Sequence, residues 1–191
     1  MSIQSLQSFS FETDRLFIRP YNYEEDFENS VKLYGDERIT QYFDHGQPRT
    51  REEVDELVRD IGVRRFKMNP STGLFTALDK VTHNFIGHFD FIPTEQPGEV
   101  EIGYIIKYEE QNKGYGSEIA IAILKQYGAM VFDKKIEFNG SLIKRIYATA
   151  HEKNIPSIRL LEKMQMEKIG EKSRFQSTRF EYAIDVDYTK S

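Results

Sequence analysis

The segment that most restricts what this chain can fold into is Gln111-Asn112-Lys113-Gly114-Tyr115-Gly116-Ser117, set between an apolar run and a long amphipathic stretch. Residues 100–107 (VEIGYIIK) have the composition of a buried strand, and Ile119, Ala120, Ile123, Leu124, Tyr127 and Val131 recur at helical spacing from Ser117 to about Phe132. Two glycines at a strand-to-helix junction permit a tight turn whose successive N–H groups face one concavity, and the helix start adds partial positive charge. Such a junction can cradle a pyrophosphate. An ordinary turn also uses Gly there, and for a bare G-x-G the ordinary turn is the better reading. A Walker loop is absent, and a dinucleotide fingerprint would need Gly where Ile119 stands.

The rest of the chain reads as alternating elements. Residues 9–19 form a first strand ended by Pro20; Asn22 caps a helix with an acidic first turn (Glu24, Glu25, Asp26), and Gly35 closes it. Thr50 caps a second helix over 51–66, with Val54, Leu57, Val58 and Ile61 as its apolar stripe. Strands over 73–79 and 84–92 flank the polar turn 80–83 as a hairpin, and 100–107 is the fourth strand. After the long helix come a strand over 144–150, a helix over 155–165, and short strands over 167–171 and 179–185. Within 133–143, Asn139-Gly140 fits a helix stop or a hairpin turn; the expectation is a helix stop. This order implies one mixed α/β domain over 1–191.

Composition narrows function. Lys plus Arg number 26 against 31 Asp plus Glu, a net charge of −5, which suits neither nucleic acid nor an anionic membrane as partner. Without cysteine there is no disulfide framework, thiolate-ligated metal or cysteine nucleophile. The four His and many carboxylates show no metal-ligand spacing, so no metal is expected. Residues 1–10 have no basic leader, and no apolar run approaches the ~20 residues of a membrane span, so a soluble cytoplasmic protein is expected.

With its flanks, the Q-x-x-G-x-G segment resembles the acetyl-CoA loop of the GNAT N-acetyltransferase superfamily. Glu12-Thr13-Asp14-Arg15-Leu16 with Arg19-Pro20, Ile86-Gly87, Glu101-Ile102-Gly103-Tyr104 and Asn154-x-x-Ser157-x-Arg159-x-x-Glu162-Lys163 resemble its RimJ/RimL-like branch, named for ribosomal-protein N-terminal acetyltransferases. The resemblance implies a mostly antiparallel, splayed central sheet flanked by helices, with acetyl-CoA as co-substrate. It implies pantetheine between the fourth and fifth strands, along the backbone of Tyr104, Ile105, Ile106 and Lys107. It also implies a pyrophosphate held by Gln111, Asn112, Lys113, Gly114, Tyr115, Gly116 and Ser117, with Asn154 and Ser157 near the thiol. Two departures stand out: the family's K-x-G-F reads Lys163-Met164-Gln165-Met166, and Leu161 replaces the Tyr with which many members protonate the leaving thiolate. Ser157 or water would then serve, or the thiolate would leave unprotonated.

With the resemblance, Glu101 is the expected general base, directly or through a water, sharing a strand face with Gly103, whose missing side chain leaves room for an amine; from the residues alone it reads as a solvated strand carboxylate. His88 and Asp90 share a face that could line the acceptor pocket or simply be polar and outward; His151 is expected at the surface. Arg159 and Lys163 could reach coenzyme phosphates but fit a solvated helix face equally. With no cysteine to carry acetyl, direct attack in a ternary complex is the simpler route. The acceptor could be a protein N-terminus, a polyamine or a small amine, and the negative charge mildly favours cationic ones. A monomer or homodimer is expected. The competing classes are a non-catalytic coenzyme-binding module and, more remotely, a dinucleotide oxidoreductase.

Overall fold

The computed structural model describes residues 8–190, so most of the segment expected to carry no leader lies outside the described residues. Strands β1 (Phe11–Glu12), β2 (Leu16–Pro20), β3 (Gly73–Asp79), β4 (Phe85–Pro93), β5 (Glu99–Ile106), β8 (Arg145–His151), β9 (Glu167–Arg174) and β10 (Ser177–Asp185) make one sheet in the order β1-β2-β3-β4-β5-β8-β10-β9. Every neighbouring pair is antiparallel except β5 and β8. That pair is parallel because the chain crosses between its members over one face of the sheet. The crossover is α5 (Tyr115–Ala122), a π-helical stretch Ile123–Tyr127, and α6 (Gly128–Asp133).

Helix α1 (Tyr23–Tyr34) starts where expected, the Asn22 side chain accepting from the Glu24 N–H. A short α2 (Glu37–Thr40) follows. Thr50 opens α3 (Arg51–Val58) with a reciprocal capping box to Glu53, and the helix runs on through a π-helical stretch Arg59–Arg64 into α4 (Arg65–Met68). Alternating residues of the strands feed two apolar clusters. Phe75, Phe89, Phe91 and Ile102 pack with Ile119, Ile123, Tyr127 and Val131 of the crossover; Leu74 and Ile105 pack with Tyr21, Leu33, Tyr34, Val54 and Val58 under the first helices. The sheet is therefore covered on both faces.

Two expectations about local structure are corrected. The run over 9–19 is not one strand: β1 and β2 pair with each other around a turn at 13–15. Asn139-Gly140 is not a helix stop. Both residues have positive φ (+51° and +78°) and turn the hairpin of β6 (Glu137–Phe138) and β7 (Ser141–Leu142). The helix ends earlier, at Lys135 with φ +54°, whose N–H reaches the Phe132 carbonyl while that of Ile136 reaches Val131. This is a left-handed C-terminal cap made without glycine, which is why composition did not reveal it.

Candidate active site

Strands β5 and β8 pair only at Glu99↔Arg145, Val100↔Ile146 and Glu101↔Tyr147. Beyond Glu101 they diverge, and the gap is a cleft of about 530 Å³ lined by Ile102–Ile106 on one side and Ala148, Thr149 and Ala150 on the other. The N-terminus of α5, the start of α7 (Ile155–Lys163), the loop carrying Tyr42 and Asp44, and the ends of β9 and β10 complete its walls.

At one end, the loop between β5 and α5 turns through Asn112 (φ +61°) and Gly114 (φ +86°), a conformation Gly adopts without steric cost, and Gly114 directly precedes α5. The turn at 13–15 clamps this loop. Thr13 Oγ1 and Arg15 Nε donate to the two carboxylate oxygens of Glu118 at 2.5 and 2.7 Å, and Arg15 donates to the Lys113 carbonyl at 3.0 Å. The opening motif thus acts on the first turn of α5. Gln111 Nε2 donates to the Ile106 carbonyl at 3.1 Å, closing the end of β5. Gln111, Asn112, Gly114, Gly116 and Ser117 line the cleft; Lys113, paired with Glu110, and Tyr115, under the Arg15 guanidinium, do not. Tyr104, Ile105 and Ile106 line it, while Lys107 lies outside it and is exposed.

Midway along, Tyr104 Oη and Ser157 Oγ are 3.1 Å apart. Asn154 caps α7, accepting from the Ser157 N–H at 3.2 Å, which fixes Ser157 in the cleft. Burial pushes the Tyr104 phenol up to about 12, against the opposing pull of its Ser157 hydrogen bond. Leu161 is 1% exposed and packs in the core, so the phenol at this site comes from β5 rather than α7. Arg159 and Lys163 are exposed and do not line the cleft.

At the other end the expectation for Gly103 is corrected. The room beside it is already taken, because a Cβ there would lie 2.7 Å from Asp90 Oδ2. Asp90 is the β4 residue opposite Gly103, and Glu101 stands two residues along β5 on the same face, opposite Ile92. Glu101 is ion-paired with Arg174 at 2.9 Å. Burial first, then the Glu101 charge, raises the Asp90 carboxyl to about 7; the Gly103 amide and Arg174 oppose the shift. His88, two residues earlier on the same face, is fully buried and does not line the cleft. Its ring nitrogens meet Ser30 Oγ at 2.9 Å and the Phe75 carbonyl at 3.3 Å, and burial lowers its pKa to about 4. His151 packs beside Tyr42 and accepts from the Lys153 N–H.

Sequence reasoning missed Tyr42, Asp44, Arg174, Phe175 and Arg179 as cleft residues. No spacing rule ties them to the loop; the only signal was that residues 174–179 lie beside or within predicted strands. Among the described residues no group of three His, Asp or Glu could hold a metal, and no helix is long and apolar enough to cross a membrane.

Residues 15–167 match the family model described as an acetyltransferase (GNAT) domain. An uncharacterized N-acetyltransferase of Bacillus subtilis, YnaD, is 29% identical over 158 residues, covering 83% of this chain and 82% of that one. A GNAT-family acetyltransferase from Bacillus anthracis superposes with TM-score 0.73 at 26% identity, over 92% of this chain and 98% of that one. RimL, an acetyltransferase of ribosomal protein L7/L12 solved with coenzyme A, shares the fold at TM-score 0.70 and 15% identity, over 92% of this chain and 97% of that one.

Proposed function

The chain belongs to the GNAT acetyltransferase family and is an acetyl-CoA-dependent N-acetyltransferase; we propose that it joins acetyl to a primary amine by direct attack, with both substrates in the cleft together. The observation that carries this reading is the end of β5–β8 pairing at Glu101↔Tyr147, which opens one continuous slot from the Gly114 loop to the Asp90–Glu101 carboxylates. The slot and loop fit a coenzyme: unpaired β5 backbone from Ile102 onward faces the gap, and the α5 N-terminus offers main-chain N–H groups to phosphate.

Acetyl-CoA supplies the acyl group already activated as a thioester. The protein's part is to orient the amine and handle two protons. An amine attacks only when neutral, so an ammonium must give a proton to a carboxylate before the C–N bond forms; as the C–S bond then breaks, the nitrogen releases its surplus proton and the departing sulfur takes one up. We assign the carboxylate's task to the Asp90–Glu101 pair, with the proton residing on Asp90. Burial first, and the neighbouring Glu101 second, bring the Asp90 pKa near the working pH, and Arg174 holds Glu101 in place beside it. At the thiol end, Ser157 with Tyr104 behind it donates to the departing sulfur, the role that Leu161 cannot fill. Asn154 serves by holding Ser157.

Release of free CoA thiol from acetyl-CoA is expected to depend on added amine. Initial rates with acetyl-CoA varied at several fixed amine concentrations should give intersecting lines, and mass spectrometry after acetyl-CoA alone should show unmodified protein. Parallel lines with an amine-dischargeable acetyl adduct on Ser157 would overturn direct transfer.

A further inference from the structure

The amine subsite carries more charge than an amine alone requires, and most of it is neutralised inside the protein. Of the charged side chains lining the cleft, Arg38 is held by Asp36 and Glu109, Asp44 by Arg49, Glu110 by Lys113, and Glu101 and Arg174 by each other. Among the described residues, the cleft-lining charges without an ion-pair partner are Asp90 and Arg179. Arg179 is only 8% exposed, yet its nearest acceptors are neutral: Thr149 Oγ1 at 3.2 Å from Nε and the Tyr42 carbonyl at 3.3 Å from one terminal nitrogen. A guanidinium has five N–H groups, so most of its donor capacity is unspent. Asp44 and Glu101 act on it only from beyond ion-pair distance, against the repulsion of Arg174, and a largely buried cation without a contact partner is costly unless a ligand completes it.

The two residues stand on opposite walls. Asp90 is on β4 and Arg179 on β10, with β5 and β8 between them in the sheet order. Three strand spacings put their backbones at least ~14 Å apart. Both side chains line the one cleft, whose volume of about 530 Å³ admits a small molecule. A carboxylate and a guanidinium that line one cleft, neither held in an ion pair, are complementary to one ligand class, a molecule bearing an ammonium at one end and a planar anion at the other. Arg is suited to hold both oxygens of a carboxylate at once. A polyamine would instead bring a second cation toward Arg179 and Arg174, and a protein N-terminus would offer Arg179 only a neutral peptide carbonyl.

Resting on the transferase reading above, we propose that the acceptor is an amine carrying its own carboxylate, a free amino acid, with Asp90 receiving the amine and Arg179 binding the carboxylate. Arg179 is then a specificity-determining residue of the acceptor site.

The test follows thiol release at saturating acetyl-CoA with the common α-amino acids, β-alanine and 4-aminobutanoate. Each is assayed beside its own carboxamide, with spermidine and a peptide with a free N-terminus as the competing classes. At least one acid should exceed its carboxamide by about tenfold or more in kcat/KM. Arg179→Gln should erase that preference by raising KM for the acid ~10–100-fold, the range for a lost charge-assisted hydrogen bond, with kcat little changed. Arg179→Lys should restore part of it. An unchanged acetyl-CoA-induced rise in Tm identifies the folded variants, and the acid-against-carboxamide comparison in the unmodified enzyme stands without them. Spermidine, the peptide or the carboxamides turning over as well as every acid would overturn this proposal and leave the transferase reading intact. Absence of thiol release with every amine would strike the transferase reading instead. Calorimetric titration of the same acids and carboxamides into the CoA-loaded protein then decides the acceptor class, with no acid binding better than its carboxamide overturning it.

Discussion

The two ends of the cleft are built on different principles. The Gly114 end, where we place the coenzyme, is made from main chain: the left-handed turn at Asn112 and Gly114, the start of α5, and β5 backbone released from β8. Its lining comes from short stretches of sequence within 102–117, 148–150 and 154–161. The Asp90 end, where we place the acceptor, is made from side chains brought from separate places: Asp90 on β4, Glu101 on β5, the Tyr42–Asp44 loop, Arg174 at the end of β9 and Arg179 on β10. A site made of backbone requires particular residues at fixed spacing, because only some residues permit its torsions. A site made of side chains requires only that the sheet order bring them together, and it leaves no local pattern.

That contrast can be broken at the acceptor end first, where the effect should be largest. Asp90→Asn should lower kcat by about 10²-fold or more, the usual contribution of a general base, while acetyl-CoA affinity holds steady. In the unmodified enzyme, activity should fall below about pH 7 as Asp90 becomes protonated. Glu101→Gln removes the negative charge that raises the Asp90 pKa and frees Arg174 to lower it further. The acid limb should therefore move to lower pH. Steady-state rates across pH decide the matter, and full activity of Asp90→Asn would return the base to Glu101 alone.

At the coenzyme end the effect should fall on binding. A Cβ at Gly116 would sit 3.6 Å from Leu160 and 3.8 Å from Tyr104, ordinary contact distances, so the protein itself has room for the first atom of a side chain there. Gly116→Val should fold but lose the Tm rise that acetyl-CoA gives the parent, which at a hundredfold excess over Kd corresponds to about 2.7 kcal/mol. An undiminished rise would show that the coenzyme phosphates do not approach Gly116. NAD should raise Tm in neither protein.

The smallest effect lies at the far end of the helix that starts with Asn154. Gln165 has φ +62°; its N–H reaches the Glu162 carbonyl and that of Met166 reaches Leu161, a left-handed cap on α7. Gln165→Gly should stabilise the protein by about 1 kcal/mol, or roughly 2–4 °C in Tm, without altering kcat. Chemical denaturation with parallel assays would show it, and a stability loss would mean that the Gln side chain has a role of its own.

The same division governs what could be read in advance. The hairpin of β3 and β4, the caps at Asn22 and Thr50 and the strand-loop-helix around Gly114 were legible because each depends on residues close in sequence. The caps at Lys135 and Gln165 were not, since tertiary packing imposed left-handed torsions on residues that do not advertise them. The family's glycine is missing at Gln165, yet the turn it would make is present, and Met166 is buried beyond it. His88 and Asp90 show the limit most plainly. Two residues apart on one strand face, they read alike in sequence, but the helices over that face bury His88 among hydrogen-bond partners while Asp90 emerges into the gap.

By itself the sequence determined that this chain builds a mixed α/β fold with a glycine-containing loop at a strand-to-helix junction, because glycine spacing and apolar periodicity act over one or two turns of chain. Only the tertiary structure decided which charges face the cleft. Whether a carboxylate or a guanidinium keeps a free valence depends on which partners the fold has already given to its neighbours. Arg174 is spent on Glu101, Asp44 is held by Arg49, and Asp90 and Arg179 are left facing the cleft.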